Sequence, residues 1–423
     1  MAVGIDFGTT NSALAVAKDG GAELATYSDG EREWTTFRSV LYFDPEGRAI
    51  GGRAATYAGP RAIRHYLEAE RKGRLVQSVK SFLASRSFTE TQIYTHVYTL
   101  ENLIAAILRR LVAEAERTIG AFDGPIVVGR PVRFAGAETD DDEAFALGRL
   151  QAAACEAGLG DVTFELEPVA AAFEYERRLD HDELVLIGDF GGGTSDFTLV
   201  HLGPGAARDG RRAILGNAGV GLAGDTFDSR VVREVVAPLF GRGTHYRSMG
   251  KRLELPVWVY QNLERWHFVS FLKSRRTIEM LKGLRAQADE PDAVEALQHL
   301  VEADLGFAMY RAVDAAKCHL SVDEVTELAL YDPPIDVAER FSRDDFEDWI
   351  RDDVRAITNC VEGLLASCNV APGDVEGVFL TGGSSLVPMV RRYFSRRFGA
   401  DRLRGGEELT TVAKGLALRA AQL

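Results

Sequence analysis

The stretch from Glu183 to His201 constrains the chain most. Leu184 to Ile187 is an apolar run of the kind that forms a buried strand. It halts at Gly188-Asp189, turns through Gly191, Gly192 and Gly193, and resumes as an alternating strand from Thr194 to His201. Consecutive glycines cost backbone entropy and offer nothing to pack, so they suit a place where something approaches the main chain closely. Two acids, Asp189 and Asp196, flank the turn. Free amides between two carboxylates suit a phosphate chain carrying a divalent cation, with amides for the oxygens and acids for the metal's waters. Taken alone, the same residues are also compatible with a plain glycine hairpin.

The amino terminus repeats the plan. A strand ends in Asp6-Phe7-Gly8, turns through Thr9, Thr10 and Asn11, and returns from Ala13 to Ala17. Asp6-Phe7-Gly8 matches Asp189-Phe190-Gly191, and Ser12 falls on Ser195. An acid-bearing hairpin repeated about 180 residues later predicts two similar lobes facing one ligand. Hydroxyls replace the glycines in the first copy, so its turn offers O–H as well as N–H donors.

With 423 residues, the chain exceeds a single core and predicts two to four domains. A formal charge of −14 argues against sequence-independent nucleic-acid binding. No apolar run reaches the roughly 18 residues of a membrane helix. The start enters a strand directly without a basic, cleavable leader, and Cys155, Cys318, Cys360 and Cys368 lack metal-like spacing. Both features point to a cytoplasmic protein with reduced thiols.

Further along, short strands are expected at 23–26 and 39–43, then a mixed, helical stretch from Arg53 to Arg86. Leu100 to Ile119 keeps helical spacing. Strands are expected at 125–132 and 162–166, and a helix at 144–157 behind the acidic cluster Glu138 to Glu143. Pro168 opens another helix. The second half predicts a strand from Arg211 to Val220, a helix at 229–240, an irregular basic loop at 241–256, and helices from 257 to about 319. Strands at 322–330 and 375–381 and helices at 346–368, 385–398 and 410–421 complete an α/β alternation.

Five separated stretches together resemble the nucleotide-binding half of the DnaK-type heat-shock chaperones, within the actin-like ATPase superfamily. Gly4-Ile-Asp-Phe-Gly-Thr-Thr-Asn-Ser12 resembles the first phosphate loop and Asp189-Phe-Gly-Gly-Gly-Thr-Ser-Asp196 the second. Glu165 to Tyr175 is similar to the first connecting helix, Phe379 to Pro388 to the adenosine loop, and Val412 to Ala417 to the second connecting helix. The implied fold is α/β: a two-lobed actin-like ATPase of duplicated ribonuclease H-like domains with smaller inserted subdomains. Lobe I is expected at 1–182 plus 405–423, with an insertion at about 33–98. Lobe II is expected at 183–404, with a mainly helical insertion at about 224–335. The sequence stops after the last connecting helix, so no peptide-binding domain is expected.

The resemblance implies ATP or ADP with Mg²⁺ as ligands. Asp6, Asp189 and Asp196 would hold the metal's water shell, and Gly8, Thr9, Thr10, Asn11, Gly191, Gly192 and Gly193 the phosphates. Thr194 would sit beside the γ-phosphate, Glu167 would orient the attacking water, and Lys80 would stabilise charge on the transferring group. Read without the resemblance, Glu167 is a helix N-terminal acid and Lys80 a solvated helix lysine. Gly224, Asp314, Lys317, Ser321, Gly382, Gly383 and Ser384 fall on nucleoside positions, with Asp314 replacing a glutamate. Cys318 and Leu386 stand where these chaperones carry arginines flanking the base. Losing both removes cation–π contacts of about 0.5–2 kcal/mol each, so ATP should bind more weakly than is usual for the family, with looser selectivity. Calorimetry with ATP and GTP checks this, and nanomolar ATP affinity with strong GTP rejection contradicts it.

Between Arg242 and Arg285 ten Lys or Arg meet three Glu, a net +7, among Trp258, Tyr260, Trp266, His267, Phe268 and Phe271. Two readings stand: a helical subdomain whose aromatics form its own core, or a docking surface for an acidic partner, a protein or RNA. Three functional classes stay open as well. The leading one is slow Mg²⁺-dependent ATP hydrolysis with nucleotide-driven lobe opening and closing. The others are a nucleotide-sensing scaffold without significant turnover and a small-molecule kinase of the same superfamily. No Walker-type P-loop occurs.

Overall fold

A computed structural model describes residues 1–48, 54–69, 73–177, 179–205, 214–404 and 410–423. The chain forms two compact units. The first comprises residues 1–223, 356–386 and 390–423, and the second residues 224–355 with 387–389.

Two five-strand paths in the first unit explain the sequence repeat. One joins β1 (Val3–Asp6), β2 (Asn11–Lys18), β3 (Gly21–Leu24), β4 (Ile126–Arg130) and β5 (Thr163–Leu166) in the order β5-β4-β1-β2-β3. The other joins β6 (Glu183–Phe190), β7 (Ser195–Leu202), β8 (Ile214–Val220), β9 (Gly377–Thr381) and β10 (Leu403–Arg404) in the order β8-β7-β6-β9-β10. Strand order and pairing sense coincide. In each, the hairpin and its third strand are antiparallel while the other two strands are parallel. Even the register agrees, with Asp6 opposite Ala13 and Asp189 opposite Asp196. The fold is mixed α/β with the topology of a duplicated actin-like ATPase, as the motifs predict.

Helices α1 (Leu100–Ile119) and α2 (Asp140–Ala157) cover the first sheet, burying Leu103, Ile107 and Leu111 with Ile5 and Leu14. Between the sheets' cores lie α3 (Glu167–Glu176) and α4 (Thr411–Ala420), which share a cluster with Val127, Val185, Ile187 and Phe379. Small residues let these helices come close. A Cβ on Gly415 would stand 1.7 Å from the Ala170 carbonyl oxygen, and one on Gly4 2.2 Å from the Ala417 nitrogen.

Local structure departs from the sequence reading in several places. The stretch 53–86 is less helical than expected: Ala54–Ala58 and Arg74–Gln77 are strands pairing with Val40–Arg48, and Val79–Phe82 is a 3₁₀ turn. Arg53 lies outside the described residues. Helix α2 starts at Asp140, because Thr139 caps it in a reciprocal box with Asp142, so the acids form its first turn. The helix expected from Ser229 starts at Gly224. The loop expected at 241–256 contains a hairpin, His245–Ser248 with Lys251–Glu254. Strand Val325–Asp332 has an unforeseen partner, Ile335–Ser342. Residues 211–213 of the expected strand at 211–220, and 405–409 at the expected lobe boundary, lie outside the described residues.

The second unit is mainly helical. Helices Val257–Leu263, Arg275–Arg285, Pro291–Glu302 and Gly306–Leu320 bury Leu263, Leu281, Leu297, Met309 and Val313. Among the described residues no helix is long and apolar enough to cross a membrane.

Candidate functional site

Each hairpin turn is built to stay open. Ser39 fastens the first: its hydroxyl donates to the Gly8 carbonyl at 2.7 Å, and its amide donates to Thr10 at 2.9 Å. Ser12, buried behind the turn, shares a hydrogen bond with the Ser39 hydroxyl. Ser195 does the equivalent work in the second, donating to the Leu222 carbonyl at 2.7 Å. Gly191 donates to the Thr194 carbonyl at 2.9 Å, which closes that turn and leaves Gly192 and Gly193 without side chains above it. A Cβ on Gly193 would lie 3.9 Å from the hydroxyl oxygens of Thr9 and Ser81, so the two turns and the Lys80 loop meet.

Lys80 arrives by an abrupt bend. Ser78, at φ 53°, leaves strand geometry and starts the 3₁₀ turn, which Val79 and Leu83 anchor in the core. Lys80 is itself buried and donates to Glu167 Oε1 at 2.7 Å. Glu167 begins α3 just before Pro168, where the helix dipole favours an acid. Gly129 leaves space beside it, since a Cβ there would approach Glu167 Cγ to 3.1 Å. The lysine is thus not a solvated helix residue.

Three carboxylates complete the group. Asp189, next to last in β6, accepts from the Thr381 hydroxyl at 2.6 Å. Asp196 accepts from the Arg133 amide at 3.2 Å and bonds the Thr194 hydroxyl. Burial, then Glu167, raises all three acids, taking Asp189 to about 6 and holding Asp6 and Asp196 well above the ordinary range. Burial would lower the Lys80 ammonium, but Glu167, Asp6 and Asp189 outweigh it and raise it. Glu167, Asp6 and Asp189 act on the Lys80 ammonium, and Asp196 adds a fourth acid beside Glu167 and Asp189. Such a donor set fits a divalent cation. Among the described residues no three acids, histidines or cysteines converge to ligate one directly, so their oxygens would reach Mg²⁺ largely through its waters.

Gly382 at φ 80° closes on the Phe190 carbonyl, where a Cβ would stand at 2.0 Å, and it opens the turn carrying Gly383 and Ser384. Leu386 is exposed. These three nucleoside candidates belong to the first unit; Gly224, Asp314, Lys317 and Ser321 belong to the second. There Lys317 reaches Asp228 at 2.7 Å and Asp314 at 3.3 Å, and Ser321 caps the end of the lysine's helix. Thr381, Ser39, Asp225 and Asp228 escaped sequence reasoning. Thr381 was signalled only by its place at a strand end before Gly382, and Asp225 and Asp228 by their i, i+3 spacing.

Burial and then Asp228 raise Asp225 to about 7. A folded-state value above the unfolded one, about 3.9, means that stability is present below pH 4 and lost as pH climbs through 7. Asp225→Asn should therefore gain on wild type as pH rises, by on the order of 2–4 kcal/mol near pH 8, in thermal melts across that range.

In the basic segment, Arg242 pairs with Glu264, Arg252 with Asp289, Lys273 with Asp304, Lys282 with Glu302 and Arg285 with Glu295. Four of those acids lie beyond residue 285, so neighbours neutralise much of the local charge. Tyr260 is buried with its hydroxyl on the Phe240 carbonyl, and Trp266 packs near Tyr310.

The duplicated sheets and the acid-lined turns between them define an actin-like ATPase fold. The Hsp70 protein family model matches residues 2–245 and 305–423, and the chain belongs to that family. Similar relatives are the chaperone protein DnaK of Thermosipho africanus, 26% identical over 424 residues, and that of Deinococcus proteolyticus, 26% over 438. DnaK of Thermotoga petrophila is likewise 26% identical, over 431 residues. The alignments cover 99–100% of this chain and 59% of each relative.

Proposed function

We propose that this protein binds ATP with Mg²⁺ and hydrolyses it slowly, cycling its lobes between open and closed forms as nucleotide turns over. The observation that carries the reading is the buried Lys80–Glu167 pair set among Asp6, Asp189 and Asp196 beside two open turns. In this reading the Thr9–Asn11 and Gly191–Gly193 turns hold the β- and γ-phosphates. Thr194 sits by the γ-phosphate, and Lys80 offsets negative charge developing there. Glu167 accepts a hydrogen bond from the attacking water and orients it. Asp6, Asp189 and Asp196 hold the hydrated Mg²⁺, which supplies charge neutralisation along the phosphate chain. The motifs alone assign nucleoside contacts to Gly382, Gly383 and Ser384 in one unit and to Gly224, Asp314, Lys317 and Ser321 in the other.

The lobes of this reading are residues 1–182 with 405–423, and 183–404, each built on one copy of the repeated sheet. Family kinship supports ATP use, and we place the protein in the cytoplasm. Single-turnover hydrolysis of ATP tests the proposal: turnover should require Mg²⁺ and stop with chelator. Tight binding without Mg²⁺-dependent phosphate release would make the protein a nucleotide-sensing scaffold, and sugar-stimulated ADP release would make it a kinase.

A further inference from the structure

The hairpin His245–Ser248/Lys251–Glu254 lies, but for its first residue, in the span that the family model leaves unmatched, so its purpose is not inherited from the nucleotide site. Its turn is unusual. Met249 and Gly250 have φ of 49° and 75°, the signs of a type I′ turn, which asparagine and glycine occupy with least strain. A methionine holds the strained first position here, and its side chain is entirely exposed. Four large apolar residues within ten positions, Met249, Leu253, Val257 and Trp258, are exposed together. Burial within the fold does not explain them.

The main chain shows what the hairpin is missing. Leu255 donates to Thr244, so bonded pairs alternate along the ladder as 244–255, 246–253 and 248–251. The intervening residues turn their amides and carbonyls outward. On the first strand residues 287–289 take those groups, since Arg247 donates to Gln287 and Asp289 donates to the His245 carbonyl. On the second strand the corresponding groups belong to Arg252 and Glu254. Among the described residues none bonds them, and every residue of the strand is exposed.

We infer that this edge pairs with the same edge of a second copy of the chain. An antiparallel partner related by a two-fold axis at Leu253 sets Arg252 opposite Glu254 of the other copy, and Glu254 opposite its Arg252. Both pairs then present outward-facing amides and carbonyls, giving four main-chain hydrogen bonds. The same register brings opposite charges together twice on one face and Leu253 against its own copy on the other. Moving the axis to Arg252 would oppose like charges, so the sequence selects one register. Lys251 and Pro256 bound the short edge and discourage longer, open-ended pairing. The contact gives a weak, reversible dimer independent of the nucleotide reading.

Sedimentation over a concentration series tests this. The wild-type weight-average mass should rise from 46.3 kDa toward twice that value. Arg252→Glu and Glu254→Arg should each weaken association at least about tenfold, because each opposes like charges. Mixing those two variants should restore dimers, since every opposed pair becomes Glu–Arg, and the double variant should dimerise alone. Arg252→Glu also disturbs the Asp289 pair, but Glu254→Arg does not, so a misplaced hairpin cannot mimic the pattern. A wild type that stays monomeric to about 1 mM overturns the inference. So does a dimer indifferent to both single changes, or a mixture that fails to recover.

Discussion

Lys80→Ala is expected to slow single-turnover ATP hydrolysis by at least about 100-fold while nucleotide still binds. The lysine sits among Glu167, Asp6 and Asp189, and its loss leaves Glu167 buried without its 2.7 Å partner. Breaking a buried pair from one side typically costs about 3–5 kcal/mol, so the variant should also melt earlier. A second variant separates the two effects. Lys80→Met combined with Glu167→Gln removes both charges, and most of the stability should return. If turnover returned as well, the pair would be structural and the proposed chemistry would be wrong. If Lys80→Ala alone hydrolysed ATP at the wild-type rate, the same conclusion would follow.

The second large effect is expected at Gly415. Gly415→Ala puts a methyl group 1.7 Å from the Ala170 carbonyl oxygen, a distance no rotamer relieves because the Cβ position is fixed by one helix backbone and the oxygen belongs to the other. Helices α3 and α4 must then separate, carrying α4 away from β1, where Gly4 and Ala417 also touch through main chain. Overpacking of this kind costs about 3 kcal/mol or more. The cost should appear as a fall of roughly 3–6 °C in the melting midpoint, given the size of the unit. Gly363→Ala is the control, since a Cβ there meets nothing within 4 Å. Equal melting points for the two variants would mean that α3 and α4 are not held by this contact.

The duplicated architecture was readable because both acid-bearing hairpins carry their chemistry in contiguous residues, and contiguous spacing fixes register. Asp6 opposite Ala13 and Asp189 opposite Asp196 follow from turn length alone. What the chain order hid was structure made by distant partners. Ala54–Ala58 and Arg74–Gln77 lack a strong alternating pattern and become strands only because Val40–Arg48 lies between them. Lys80 resembled a helical lysine because nothing nearby in sequence announces Glu167, 87 residues on. Thr381 meets Asp189 across 192 residues, and only the parallel pairing of β6 with β9 brings them together. The second strand of each unforeseen hairpin failed for the opposite reason. Lys251–Glu254 is exposed throughout with Leu253 as its single apolar residue, and Ile335–Ser342 buries Ile335, Val337 and Phe341 but breaks its alternation at Glu339, so neither carries the full apolar signature of a half-buried strand.

Lys80 is delivered by neither of the two large sheets. It hangs from the end of Arg74–Gln77, the outer member of a three-strand appendage, through the single bend at Ser78. A tilt of that appendage would move the ammonium relative to Glu167, and through Ser39, the residue before Val40–Arg48, it would reach the Gly8–Thr10 turn as well.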